Sequence, residues 1–154
     1  MSRIKDLRKY IDTELAMISD DDERNAAFIH LNGVALASVI LAKKRGLNEE
    51  LAVMASMLHD LYAYRSGSYD DHAHKGAEYA RNILEKLNIT SSEETDIICS
   101  AIYHHDDKAV TDGPVEELLK DADVISHTMH DPLKPIKEKE QARYDRICSE
   151  LGLR

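Results

Sequence analysis

The chain has 154 residues, with 20 Lys and Arg against 29 Asp and Glu, a formal net charge of −9. That length fits one domain, and so acidic a chain is a poor match for a nucleic-acid backbone, which calls for a basic face. Apolar residues make up 43% and charged residues 32%, a globular rather than a disordered composition.

In chain order the apolar periodicity is helical nearly throughout. Ile4, Leu7, Ile11, Leu15 and Ile18 form one stripe at helical spacing. Asp20 to Glu23 supply caps and acidic first-turn residues for a second helix, which runs to about Arg45 and ends at Gly46. Asn48 caps a third, with Leu51, Met54 and Leu58 on its core side, and a loop is expected from Tyr62 to Asp71. A fourth helix starts near His72 and carries Ala80, Ile83 and Leu87. Ser91 and Glu94 offer a capping box for a fifth. Pro114 opens a sixth, with Leu118, Ala122, Ile125 and Met129, and Pro132 and Pro135 end it. A charged seventh helix, with Ile136, Tyr144, Ile147 and Leu151, closes the chain. The expectation is an all-α single domain over residues 1–154, of about seven helices, with no repeat and no linker.

Fully apolar runs are only a few residues long, against the ~20 of a membrane helix. Met1 to Asp6 lead into charged helix rather than an apolar signal region. Cys99 and Cys148 fit reduced thiols. These features predict a cytoplasmic protein with no membrane or nucleic-acid partner.

Eight histidines are the unusual feature of this composition. Residues three and four apart share a helix face, so each polar residue can be tested against its neighbours. His30 lies on the stripe of Val34, Ala37 and Leu41, and His72 extends that of Gly76, Ala80, Ile83 and Leu87. His105 follows Ile98, Ala101 and Ile102. His59 and Asp60 flank a side lined by Ala52, Ala55 and Ser56, and Asp123 stands beside Ala122. One inward histidine is more often a hydrogen-bonded core residue than a ligand, and one His-Asp pair occurs by chance. Polar groups pointing inward from five helices are different: burying them is costly unless something pairs them, and a divalent cation pairs several at once. A mixed His and Asp set suits Fe, Mn, Co, Ni or Zn better than Ca, with Mg possible, and one or two ions are expected. His74 shares a charged face with Glu78, Arg81 and Glu85 and reads as surface. His104, turned about 100° from His105, is a further ligand, a substrate contact or a partly buried residue. His127 and His130 read as ordinary, partly exposed residues.

Taken in order, His30, Leu58-His59-Asp60, His72 with Gly76-Ala77, Ala101-Ile102 before His105, and Asp121-Ala122-Asp123 resemble the HD-domain superfamily of metal-dependent phosphohydrolases. The resemblance covers about residues 28–131; the first helix and the charged tail lie outside it. The added histidines make the pattern similar to the subset that holds two metals, in which bacterial enzymes that split dinucleoside tetraphosphates symmetrically show a similar spacing. The resemblance implies that His30, His59, Asp60 and Asp123 bind one metal, that Asp60 bridges, and that His72 and His105 bind a second. It makes the His59–Asp60 pair the catalytic centre. Members often carry a Lys soon after that pair; here the stretch is Leu61-Tyr62-Ala63-Tyr64-Arg65. The Gly-Tyr-Pro triplet of relatives acting on cyclic dinucleotides is replaced by Asp106-Asp107-Lys108.

No Ser-His-Asp set, Gly-rich phosphate loop or cysteine nucleophile stands out, so chemistry falls to metal-activated water, whose pKa drops to as little as ~7. Arg65 and Lys108 lie on the loops expected beside the metals and either meet phosphate or are solvated surface charges. Tyr62, Tyr64 and Tyr69 either stack on a base or pack the loop down. The expected function is a metal-dependent phosphohydrolase acting on a small phosphorylated metabolite, a nucleotide by preference. A di-iron oxygenase of the same helical fold and a non-catalytic nucleotide-binding module are the alternatives.

Overall fold

The computed structural model describes residues 2–153. Eight α-helices run through the described residues. Helix α1 (Arg3–Ala16) is capped by the Ser2 side chain, which accepts from the Lys5 amide. Helix α2 (Asp21–Arg45) is capped by Asp20, carries three acidic residues in its first turn and three basic ones in its last, and stops at Gly46 with φ 66°. Both charge biases match the helix dipole, and the left-handed stop is a conformation glycine adopts without strain. Helix α3 (Glu49–Leu58) is buried on every side from Leu51 to Leu58, so it is the central helix. Its neighbours are α1, α2, α6 and α7.

The segment expected to be a loop after Asp60 contains a short helix, α4 (Leu61–Ser66), ended by Gly67. Its apolar signal is only Leu61 and Ala63, too short to show helical periodicity, but both are buried against the core. The remaining helices are α5 (His72–Leu87), α6 (Ser92–His104), α7 (Pro114–Met129) and α8 (Glu138–Leu151). The Ser91–Glu94 capping box forms at α6, and Pro114 stands in the first turn of α7.

One hydrophobic cluster joins buried residues from Leu7 to Ile147. Helix α2 is long and apolar enough to cross a membrane by length and composition, with a mean hydropathy of 1.6 in its most apolar window. The short apolar runs of the sequence understate that, because what interrupts them is His, Asn, Gly and Ser rather than charges. In the fold its buried face instead packs on α3 and α7. Two glycines set the approaches that matter for the site. A Cβ on Gly33 would stand 2.8 Å from Ser126 Oγ, so α2 and α7 meet closely there. A Cβ on Gly76 would stand 3.2 Å from the His59 carbonyl, which seats α5 against the end of α3.

Candidate metal centre

Six helix ends and faces converge beside the end of α3. His59 is the residue after α3, and Asp60 precedes α4. His72 is the first residue of α5, and His105 follows the last residue of α6. His30 comes from α2 and Asp123 from α7. His59, Asp60, His72, His105 and Asp123 are buried, and His30 nearly so.

Three of the imidazoles are fixed by one repeated local device. His59 Nδ1 donates to the Ser56 carbonyl at 2.7 Å, His72 Nδ1 to that of Tyr69 at 3.0 Å, and His105 Nδ1 to that of Ile102 at 2.7 Å. In each case the partner is three residues back. A carbonyl only accepts, so Nδ1 carries the hydrogen and each neutral ring presents a lone pair at Nε2.

Those lone pairs face carboxylates. Asp60 Oδ2 is 3.3 Å from His30 Nε2 and 3.3 Å from His59 Nε2. Asp60 Oδ1 faces the other way, 3.4 Å from His72 Nε2 and 3.2 Å from His105 Nε2. Asp123 Oδ1 is 3.3 Å from His30 Nε2 and 3.6 Å from His59 Nε2. His30 and His59 place their Nε2 atoms 3.1 Å apart. Asp60 Oδ1 and Asp123 Oδ1 are buried and accept no hydrogen bond.

Acceptors facing acceptors in a buried site repel unless a positive charge lies between them. Protons are one solution. Burial works against a charged His59, but Asp60 and Asp123 overcome it and push its pKa up to about 10. Burial likewise opposes ionised Asp60 and Asp123, yet His59 for the first and Lys108 for the second hold them well below the usual carboxylate range. A divalent cation is the other solution. Two donors ~2.1 Å from one ion lie about 3.0–3.4 Å from each other, close to the separations found here. The donor atoms form three groups compact enough for an ion: His30, His59 and Asp60; Asp60, His72 and His105; and His30, Asp123 and His127. The orphaned oxygens and the mixed imidazole–carboxylate chemistry fit a transition metal.

The centre floors a cavity of about 530 Å³. Tyr64 and Tyr69 line one side, with ring centroids 6.4 Å apart. Lys108 is buried in the wall with Nζ 2.7 Å from Asp123 Oδ2, a contact that keeps it protonated despite burial. Lys134, Lys137 and Lys139 edge the opening and are exposed.

Three residues that the sequence leaves open lie outside the cavity, and Arg65, expected at the phosphate or in solvent, is in neither place. Arg65 does not reach the cavity: its Nε lies 2.9 Å from Glu14 Oε2 on α1. Neighbours on a helix diverge by about 100°, so with Tyr64 facing the cavity Arg65 faces α1. His104 is likewise not a cavity residue. Its Nδ1 bonds the Ser100 carbonyl at 2.9 Å, on a different side of α6 from His105. Tyr62 packs edge-on against Tyr79 instead of lining the cavity. His74 is exposed and pairs with Asp71 at 2.8 Å.

His127 is at the centre although its sequence reads as ordinary. Its Nε2 is 3.3 Å from Asp123 Oδ1, and its ring stacks on His30 with centroids 5.1 Å apart. The available signal was spacing: His127 is four residues after Asp123 and shares its helix face. Glu140 and the Lys134–Lys139 stretch carry no such signal, because tertiary packing of the tail brings them in.

A family model for the HD domain matches residues 27–148. Among curated proteins, Ribonuclease Y of Chlorobium phaeobacteroides is 31% identical over 97 residues, 63% of this chain and 17% of that protein. Ribonuclease Y of Chlorobium phaeovibrioides is 30% identical over the same proportions. The chain thus matches about a sixth of the length of these relatives. A crystal structure described as a predicted HD superfamily hydrolase, from an uncultured Thermotogales bacterium, superposes with a TM-score of 0.63. It covers 94% of this chain and 87% of its own at 18% identity, which is a likeness of fold.

Proposed function

The chain belongs to the HD-domain family, and from that premise we propose that it is a cytoplasmic metal-dependent phosphohydrolase acting on a small phosphorylated metabolite, preferably a nucleotide. The observation that carries the reading is Asp60. One carboxylate presents its two oxygens to two separate pairs of imidazoles, with one oxygen lacking any hydrogen-bond donor. Such a group is suited to joining two ions.

In this reading His30, His59, Asp60 and Asp123 would hold one ion, and His72 and His105, sharing Asp60, would hold a second. When bound, the divalent ions supply Lewis acidity and water of lowered pKa. The protein supplies the rest. Backbone carbonyls orient three of the imidazoles. Lys108 neutralises part of the Asp123 charge and lends the wall a positive group. Lys134, Lys137 and Lys139 gather cations at the opening of an otherwise acidic protein, an arrangement that draws in phosphate. Tyr64 and Tyr69 offer aromatic surface for a base. The cavity volume suits one nucleotide-sized ligand.

The test is phosphate release from a panel of nucleotides and sugar phosphates, with Mn, Fe, Co, Ni, Zn or Mg, run without oxygen. Release from a small substrate, lost in Asp60→Asn, is the expected result. Lys134→Ala with Lys137→Ala should raise KM several-fold and leave metal content unchanged. Oxygen consumption by iron-loaded protein without phosphate release would assign an oxygenase instead. Cleavage of an RNA oligonucleotide in preference to every small substrate would overturn the substrate class.

A further inference from the structure

The metal centre proposed above leaves one imidazole and one buried carboxylate without a role. His127 lies one helical turn past Asp123 on α7. Its Nδ1 is 3.4 Å from Oε1 of Glu140, in the first turn of α8. Glu140 is 2% exposed. A carboxylate this buried is costly unless a donor or cation pairs it. A carboxylate accepts, so the contact puts the imidazole hydrogen on Nδ1 and leaves the neutral ring's lone pair at Nε2.

That lone pair points to Asp123 Oδ1 at 3.3 Å, the oxygen that accepts no hydrogen bond. His127 therefore repeats the arrangement of His59, His72 and His105, with a side-chain carboxylate in place of the backbone carbonyl. Its stacking on His30 sets the two rings almost parallel, 13° apart, with both Nε2 atoms 3.3 Å from the same oxygen of Asp123. The opposite oxygen, Asp123 Oδ2, is already taken by Lys108.

We propose that His127 is an additional ligand of the Asp123 cluster, oriented by Glu140. This inference rests on the metal-centre reading and adds a specific consequence to it. The first ion is then offered imidazoles from His30, His59 and His127 and carboxylates from Asp60 and Asp123. The second, at His72 and His105, is offered two imidazoles and a share of Asp60. A donor set this rich in imidazole selects the later first-row metals over magnesium, which favours oxygen and retains its water. Glu140 acts as a positioning residue, because outer partners of a ligating histidine fix its tautomer and direction.

Cobalt(II) alone is the probe, since its visible spectrum reports ligand number and geometry directly. Protein stripped by chelator is titrated with cobalt, and affinity, ions per chain and spectrum are recorded for the wild type, His127→Ala, His127→Gln and Glu140→Gln. The expected result is a wild type that takes two ions. In His127→Ala the affinity of one step falls at least tenfold and its spectrum changes, while the other step is kept. His127→Gln should lose the same step, so the result does not hang on one variant's folding, which circular dichroism checks. Glu140→Gln should weaken that step by roughly 10–100-fold with a smaller spectral change. If His127→Ala and His127→Gln both show the wild-type spectrum and affinity while His30→Ala loses a step, the inference is overturned and the metal centre stands. If the wild type binds no cobalt, both fall together.

Discussion

Asp60 and its four imidazole neighbours let individual residues be told apart by what each shares. Asp60 faces both groups of donors, whereas His105 faces only one. Asp60→Asn keeps size and shape and removes the charge, so both ions should be lost together, with turnover abolished. His105→Ala should keep the first ion and lose the second. Elemental analysis of metal per chain reads the difference, and two ions with near-normal turnover in Asp60→Asn would reduce Asp60 to an outer, orienting group. His72 and His74 form a second pair. They are two residues apart on α5, about 200° around the helix. His72 is buried and 3.4 Å from Asp60; His74 is half exposed and meets Asp71 and the Tyr103 ring. His72→Ala should cut metal content and activity strongly, and His74→Ala should leave both near wild type. Equal losses would mean the centre does not use His72.

At the scale of elements, the site depends on α1, a helix that does not line it. Glu14 on α1 accepts from Tyr79 on α5 at 2.8 Å and from Arg65 on α4 at 2.9 Å. This holds α4 in place, and α4 carries Tyr64 into the cavity wall. Burial raises the Glu14 pKa, but Tyr79 and Arg65 outweigh it and leave it lowered. A carboxylate with a lowered folded pKa stabilises the fold above its unfolded value and loses that stabilisation as pH falls through the folded one. Stability should therefore decline below about pH 4.5, and Glu14→Gln should flatten that part of the profile while leaving pH 7–9 unchanged in shape. Thermal melts across pH would read it; a wild-type acid profile in Glu14→Gln would assign the decline to other carboxylates. Such links also mark what sequence could reveal. His30, His72 and Asp123 were legible because long helices fix the phase of every side chain on them. The α4 helix was not, because six residues cannot display a period. Arg65 and Glu140 depend on which helix packs beside which, and no local pattern encodes that; His127 does share the helix face of Asp123, a spacing that only the packing of α2 and α8 around it turns into a place at the centre. The resemblance stops short of the tail, yet α8 reaches the cavity through Glu140. It also holds the turn before α7 through Arg143 Nη2, which donates to the Lys108 carbonyl at 3.0 Å.

For the whole molecule, the donor set is a cross-link as well as a site. It draws on α2, the α3–α4 junction, α5, α6 and α7, elements otherwise joined by the apolar core and by scattered polar contacts around it. Two buried carboxylates facing lone pairs weaken that core unless protons or cations intervene. Metal binding should therefore appear as global stability, not only as activity. A ligand bound only to the folded state adds RT ln(1 + [L]/Kd), about 2.7 kcal/mol at a hundredfold excess over Kd. In a chain of this size each kcal/mol moves Tm by roughly 2–4 °C. Chelation should then lower Tm by about 5–10 °C from a manganese- or cobalt-saturated start, and re-adding metal should restore it. The shift should vanish in Asp60→Asn, where both ions are lost, and persist in reduced form in His105→Ala. It should be unaffected in Lys134→Ala, whose side chain edges the cavity without facing the donors. That ordering separates binding at the centre from loose association of cations with an acidic surface, which would stabilise all four proteins alike. A melting point indifferent to chelator in the wild type would mean that protons, not metal, reconcile the carboxylates with the imidazoles.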